Sequence, residues 1–250
     1  MRDYEKELRE RVAFIQELLK SSGSKGIVFG NSGGKDSALV GILCKKATEQ
    51  VLAVCMPCQS KRNFGEDLDD AVALAEQFGI ENIVVDLTAA KASMLEAIGE
   101  KVTVTDAASS NVAPRLRMTT LYTIGQSLGY LVAGTGNKSE YYMGYFTKWG
   151  DGAFDFNPIA DLTVTEVYEF LTYLNAPTNI IRKAPSAGLF EGQTDEADMG
   201  VSYAQVDKVI AEGTCGDEQA DAIIARYHSR SEHKRRPLNR YGDSSAAQTK

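Results

Sequence analysis

Soft metal ligands are scarce in this chain: its 250 residues include two histidines, His228 and His233, and four cysteines. Cys55 and Cys58 are spaced as a Cys-x-x-Cys pair, but a zinc or iron–sulfur site needs a fuller set of such groups, and both histidines lie far along the chain. No apolar run approaches the length of a membrane span. The start, Met1-Arg2-Asp3-Tyr4-Glu5, is charged where a secretory signal is basic and then apolar, which reads as a cytoplasmic protein. Positive charge is also short. A net charge of −7 gives nucleic acid no bulk electrostatic hold, though His233-Lys234-Arg235-Arg236 forms a short cationic run. Two common nucleotide motifs are missing as well. No Gly-x-Gly-x-x-Gly occurs, which argues against a dinucleotide redox fold. The usual P-loop is absent too: three residues, not four, separate Gly30 from Gly34, and Lys35 is followed by Asp36 in place of Ser or Thr.

What is present has the composition of an ordinary globular protein, long enough for one α/β domain or two small ones. Leu8, Val12, Ile15, Leu18 and Leu19 recur at helical spacing before a Gly/Ser break at 21–25. Apolar runs at 27–30, 51–56, 83–87 and 130–133 alternate with helical patterns such as 67–78 and 115–127, the signature of a parallel sheet with crossover helices. In such sheets ligands gather at the carboxyl ends of the strands. The segments after Phe29, Met56 and Ala133 are therefore expected on one rim. Past Gly150, helical stretches at 164–174, 202–211 and 217–228 alternate with Pro/Gly loops, so one domain with a helical C-terminal extension is expected. The small polar residues from about 242 onward read as a mobile tail.

Ser32-Gly33-Gly34-Lys35-Asp36-Ser37 joins the strand-like run 26–30 to the helical run 38–47. Two glycines let backbone approach an anion, two hydroxyls add donors, and the helix N-terminus favours negative charge. Asp36 would repel a bound phosphate unless a divalent cation lay between them, so the loop implies Mg²⁺. A plain strand–helix turn would need neither the serines nor the acid. The pattern resembles the pyrophosphatase loop of synthetases that split ATP into AMP and pyrophosphate. A second strand feeds Gly134-Thr135-Gly136-Asn137-Lys138-Ser139-Glu140, which places Glu140 to share the cation with Asp36. The plainer alternative for Glu140 is a helix-dipole partner.

Together with Asn111 to Met118, Phe146-Thr147-Lys148-Trp149-Gly150-Asp151-Gly152, the segments 183–189 and 193–196, and Glu232-His233-Lys234-Arg235-Arg236-Pro237, these motifs resemble the NAD synthetases over about residues 5–237. The resemblance implies an adenine-nucleotide alpha-hydrolase-like, Rossmann-like three-layer α/β fold in a single 1–250 domain, with a core at about 20–160 and a helical extension at about 161–237. It implies amidation of deamido-NAD (nicotinic acid adenine dinucleotide) by ammonia, with ATP as co-substrate and an adenylated carboxylate as intermediate. By the same resemblance, Gly30, Asn31, Ser32, Gly33, Gly34, Lys35, Asp36, Ser37, Thr135 and Ser186 bind ATP. Asp36 and Glu140 hold Mg²⁺, while Arg115, Lys148, Asp155, His233 and Lys234 hold deamido-NAD. No covalent nucleophile is required, because ATP activates the acid and ammonia attacks. The resemblance further implies a homodimer, and the absence of room for a glutaminase domain points to free ammonia as nitrogen donor.

One position departs from the family pattern. Val164 stands where the family usually carries an ATP-contacting Lys, a change expected to remove a charge-assisted contact worth about 1.5–3 kcal/mol. Lys183 is the candidate substitute. Two rival readings keep the loop: a tRNA thiolation enzyme using Cys55 and Cys58, and a non-catalytic adenine-nucleotide-binding protein.

Overall fold

The computed structural model describes residues 2–59, 64–183 and 194–236. Four strands, β1 (Gly26–Gly30), β2 (Val51–Cys55), β3 (Glu81–Val84) and β4 (Tyr130–Ala133), form one parallel sheet in the order β3-β2-β1-β4. The helices are α1 (Tyr4–Ser22), α2 (Lys35–Ala47), α3 (Glu66–Phe78), α4 (Thr88–Gly99), α5 (Asp106–Ser110), α6 (Val112–Leu128) and α7 (Lys138–Met143). Beyond them lie α8 (Val164–Tyr173), α9 (Thr178–Arg182), α10 (Asp195–Met199), α11 (Tyr203–Glu212), α12 (Glu218–Arg230) and α13 (Glu232–Arg235). Among the described residues no helix is long and apolar enough to cross a membrane.

The central strands β1 and β2 are buried on both faces, which explains why they read as unbroken apolar runs. Alternate residues point to opposite sides. Ile27, Phe29, Val51, Ala53 and Ala133 meet Ile15 of α1, Leu39 and Leu43 of α2 and Phe170 of α8. Val28, Leu52, Val54 and Val132 face Ala113, Leu116 and Leu121 of α6. The result is the expected three layers. Gly41 is the point of closest approach between α2 and β1, where a Cβ would lie 2.7 Å from Cζ of Phe29. The third strand occupies 81–84, earlier than the run 83–87 suggests, because the Asp86 carboxylate accepts from the Thr88 N–H at 2.8 Å and turns the chain into α4.

Two charged clamps hold the N-terminal helix to the extension. Arg11 donates to both carboxylate oxygens of Asp161 at 2.7 and 2.9 Å, and Arg2 adds a 2.9 Å contact to the same acid and a 2.7 Å contact to Glu166. Burial opposes the charged form of Asp161, but the two guanidinium groups prevail and push its pKa down to about 2 from an ordinary 3.8. A carboxylate held below its unfolded value stabilises the fold above that value, and the contribution vanishes as pH falls through the folded pKa. Urea unfolding of wild type and Asp161→Asn should therefore differ most above about pH 4, with the gap between their midpoints closing as pH falls to about 2. A gap that does not vary with pH would show that the arginines do not act through this charge.

Candidate active site

The carboxyl edge of the sheet opens into a cavity of about 800 Å³ lined by the turns after β1, β2 and β4. The turn after β1 is fixed before any ligand arrives. Asn31, 3% exposed, donates its side-chain amide to the Ala71 carbonyl at 2.9 Å, and its backbone N–H donates to Val54 at 2.9 Å. Gly33 has φ +71°, and a Cβ there would lie 2.1 Å from the carbonyl oxygen of Asp67, so both backbone conformation and space demand glycine. No side chain caps α2, which begins at the cavity. Such an end presents N–H groups and a partial positive charge to an anion. The Ser32 and Ser37 hydroxyls lie 3.1 Å apart, and Ser37 also donates to the Gly34 carbonyl at 3.0 Å.

The turn after β4 meets this loop through Asn137, which is fully buried. Its amide donates to Asp36 at 3.0 Å. Its carbonyl oxygen accepts from the Glu140 N–H at 3.0 Å, and its own N–H donates to the Glu140 carboxylate at 3.0 Å, forming a capping box at the start of α7. Asp36 and Glu140 thus line one cavity. Burial pushes the Glu140 carboxyl well above the usual carboxylate range, and Asp36 adds to that push while Lys35 opposes it. Lys35 is 5% exposed; its ammonium sits 2.7 Å from Asp36, with the rings of Tyr168 and Tyr203 at 5.8 and 5.7 Å. Burial works against the Lys35 charge, but Asp36 and Glu140 outweigh it and raise its pKa.

Two acids repelling each other across a buried cavity suit a divalent cation. Among the described residues no group of three or more His, Cys, Asp or Glu could hold a metal. Asp36 and Glu140 are two hard oxygen groups lining that cavity, and Mg²⁺ in general takes one or two carboxylates together with phosphate oxygens and water.

Of the residues expected at ATP, Gly30, Asn31, Ser32, Gly34, Lys35, Asp36, Ser37 and Thr135 line the cavity, while Gly33 shapes the turn without lining it. Ser186 and the polar tail from 242 lie outside the described residues. Of those expected at the dinucleotide, His233 and Lys234 line the cavity. The Lys234 ammonium donates to the Gly144 and Phe146 carbonyls at 2.7 and 2.6 Å, and burial holds its pKa below the ordinary value. Lys148 and Arg115 stand behind them in a chain of contacts, Lys148 donating to the His233 carbonyl at 2.9 Å and Arg115 to the Lys148 carbonyl at 3.4 Å. Asp155 is outside the cavity. It accepts from the Val132 N–H at 2.8 Å and from the Tyr122 hydroxyl at 3.2 Å.

Val164 is buried in the apolar cluster around Met143, Tyr203 and Ile224 and does not reach the cavity. Lys183 does reach it, but its ammonium is held by Asp67 at 2.8 Å and Asp70 at 2.6 Å. Cys55 and Cys58 serve as core: their thiols donate to Asn82 Oδ1 and to the Leu87 carbonyl, and burial pushes both above the ordinary thiol value. That is the reverse of what a reactive thiolate needs. Sequence reasoning placed Arg117 and Asp195 in motifs without giving them a role and passed over Tyr168; all three line the cavity, and Arg117 donates to the Met56 carbonyl at 3.1 Å. The signal for Arg117 was its spacing from Arg115: two residues apart on α6, they point about 200° apart around the helix, so only one of the two can face the sheet edge.

Four similarities bear on the site. A family model described as NAD synthase matches residues 7–238. The NH(3)-dependent NAD(+) synthetase of Carboxydothermus hydrogenoformans is 43% identical over 242 residues, covering 94% of this chain and 96% of that protein. Among solved structures, NMN synthetase from Francisella tularensis aligns with a TM-score of 0.90 at 34% identity, covering 96% of this chain and 99% of that one. The NH3-dependent NAD synthetase of Campylobacter jejuni aligns at 0.76 and 33% identity, with the same coverage.

Replacing Gly33 by Ala should lower ATP cleavage about 100-fold, the scale of loss for a displacement of about 1 Å at a reacting centre. Pyrophosphate release measures it, and a circular dichroism melt reports whether the fold survives. Near-wild-type turnover would remove the turn from the site.

Proposed function

The chain belongs to the NAD synthase family, and from that premise we propose that it amidates deamido-NAD with ammonia, consuming ATP and releasing NAD, AMP and pyrophosphate. The observation that carries this reading is the meeting of Asp36 and Glu140 through Asn137 at an uncapped helix start. A carboxylate is a poor acyl donor until one oxygen becomes a good leaving group. The nicotinate oxygen attacks the α-phosphorus, the bond to the bridging oxygen breaks, and pyrophosphate departs. Ammonia then attacks the carboxyl carbon, the bond to AMP breaks, and the ammonium proton is lost to solvent or base.

The turn from Gly30 to Ser37 holds the phosphates and Thr135 contacts the nucleotide. His233 and Lys234, backed by Lys148 and Arg115, hold the acid substrate, with Asp155 fixing the strand beside it. Asp36 and Glu140 would hold Mg²⁺, which when bound neutralises charge accumulating on the pyrophosphate. Incubation with ATP, Mg²⁺, ammonium and deamido-NAD should give NAD, AMP and pyrophosphate in equal amounts, and Asp36→Asn should abolish all three. ADP and phosphate in their place would contradict the mechanism.

The TM-score of 0.90 to an NMN synthetase favours a second reading in which the acid substrate is the mononucleotide, nicotinic acid mononucleotide. Comparing kcat/KM for the two acids decides between them: a preference of tenfold or more for the mononucleotide selects the second reading.

The proposal includes a homodimer. Met94, Ile98 and Val102 are 47%, 37% and 59% exposed beside a second cavity of about 400 Å³ between α4 and α6, with Arg115 at its edge. Covering such side chains with a second copy removes apolar surface from water. Wild type should sediment as a dimer and Ile98→Glu as a monomer. An unchanged dimer would place the interface elsewhere.

A further inference from the structure

Lys35 is a buried cation in a place where the proposed reaction calls for a metal. Its ammonium lies 2.7 Å from one oxygen of Asp36, while the other oxygen accepts from Asn137 at 3.0 Å. Glu140 lines the same cavity as Lys35 and is joined to Asp36 through Asn137. One acid of the pair is thus already met by positive charge that belongs to the chain. Mg²⁺ requires carboxylate oxygen at about 2.0–2.1 Å, and an ammonium on the same carboxylate repels it. Phosphate changes this balance in two ways. It supplies the metal ligands that two carboxylates cannot, and it gives the ammonium another anionic partner. The faces of Tyr168 and Tyr203, at 5.8 and 5.7 Å, keep a favourable seat for the cation as it moves off the acid.

We propose that Lys35 is an internal counter-ion that takes the place of the divalent cation between Asp36 and Glu140 until nucleotide arrives, so that metal enters together with ATP and not ahead of it. The inference rests on the reading of Asp36 and Glu140 as metal holders. It assigns Lys35 a positioning role beyond phosphate contact: it keeps two like charges together in the free protein.

Mn²⁺ binding followed by electron paramagnetic resonance tests it without turnover. In the absence of nucleotide, Lys35→Met and Lys35→Gln should bind Mn²⁺ at least tenfold more tightly than wild type, and Mn²⁺ alone should raise their melting temperature. Lys35→Arg, which keeps the charge, should behave as wild type. With an α,β-methylene analogue of ATP present, wild type should bind Mn²⁺ at least tenfold more tightly than without it, and Asp36→Asn should not bind. Equal nucleotide-free affinities in wild type and the neutral variants would overturn the role of Lys35 while leaving the metal site standing. If the neutral variants fail to fold, wild type alone decides: Mn²⁺ bound equally well with and without the analogue overturns the proposal. No Mn²⁺ binding by wild type even with the analogue would overturn the metal site as well.

Discussion

A single uncharged amide holds the two halves of the rim in register. Asn137 is a donor toward Asp36 and an acceptor toward the Glu140 N–H, and no other side chain of its size offers both. A carboxylate there would add a third negative charge, and an aliphatic group would leave buried polar atoms unpaired at about 1–3 kcal/mol each. Glu140 consequently serves two ends: as the third residue of a capping box it stabilises α7, and the same carboxyl group lines the cavity with Asp36. Local helix chemistry and site chemistry are one set of hydrogen bonds.

The same turn anchors the C-terminal extension. Ser139 donates to Asp207 at 2.5 Å and accepts from the Val164 N–H at 3.1 Å, while Asp207 also accepts from the Thr165 N–H and hydroxyl at 2.9 and 2.6 Å. The rim, α8 and α11 are therefore tied by one set of hydrogen bonds. Val164 belongs to this joint by its backbone and to the core by its side chain, so an apolar residue there is accounted for by packing.

The sheet was legible because both faces are covered: runs such as Ile27-Val28-Phe29 can only be a doubly buried strand when a glycine turn and a helical pattern follow. The extension was legible for the opposite reason, since its helices at 164–173, 203–212 and 218–230 keep one wet face and so show clear periodicity. The helices α4 and α5 were not anticipated. Their apolar residues face outward as well as inward, and only Lys91 of α4 is buried, which erases the period on which such a reading relies. At the site, the two glycine turns and the pair of acids could be read directly, because chemistry restricts what may stand there. The choice between Arg115 and Arg117 could not. Which guanidinium faces the cavity depends on the rotation of α6 about its axis, fixed by its packing on β1 and β4.

The wall formed by His233 and Lys234 depends on Gly144, where a Cβ would fall 2.0 Å from that of Ser231; only a residue without one lets α12 and α13 close against α7. This order has a consequence for biogenesis. On the ribosome the sheet, the glycine turns and both acids leave the exit tunnel long before residue 234 does. A nascent chain can thus acquire its core while the reaction chamber stays open on one side, and that side closes only once residues 233 and 234 have emerged.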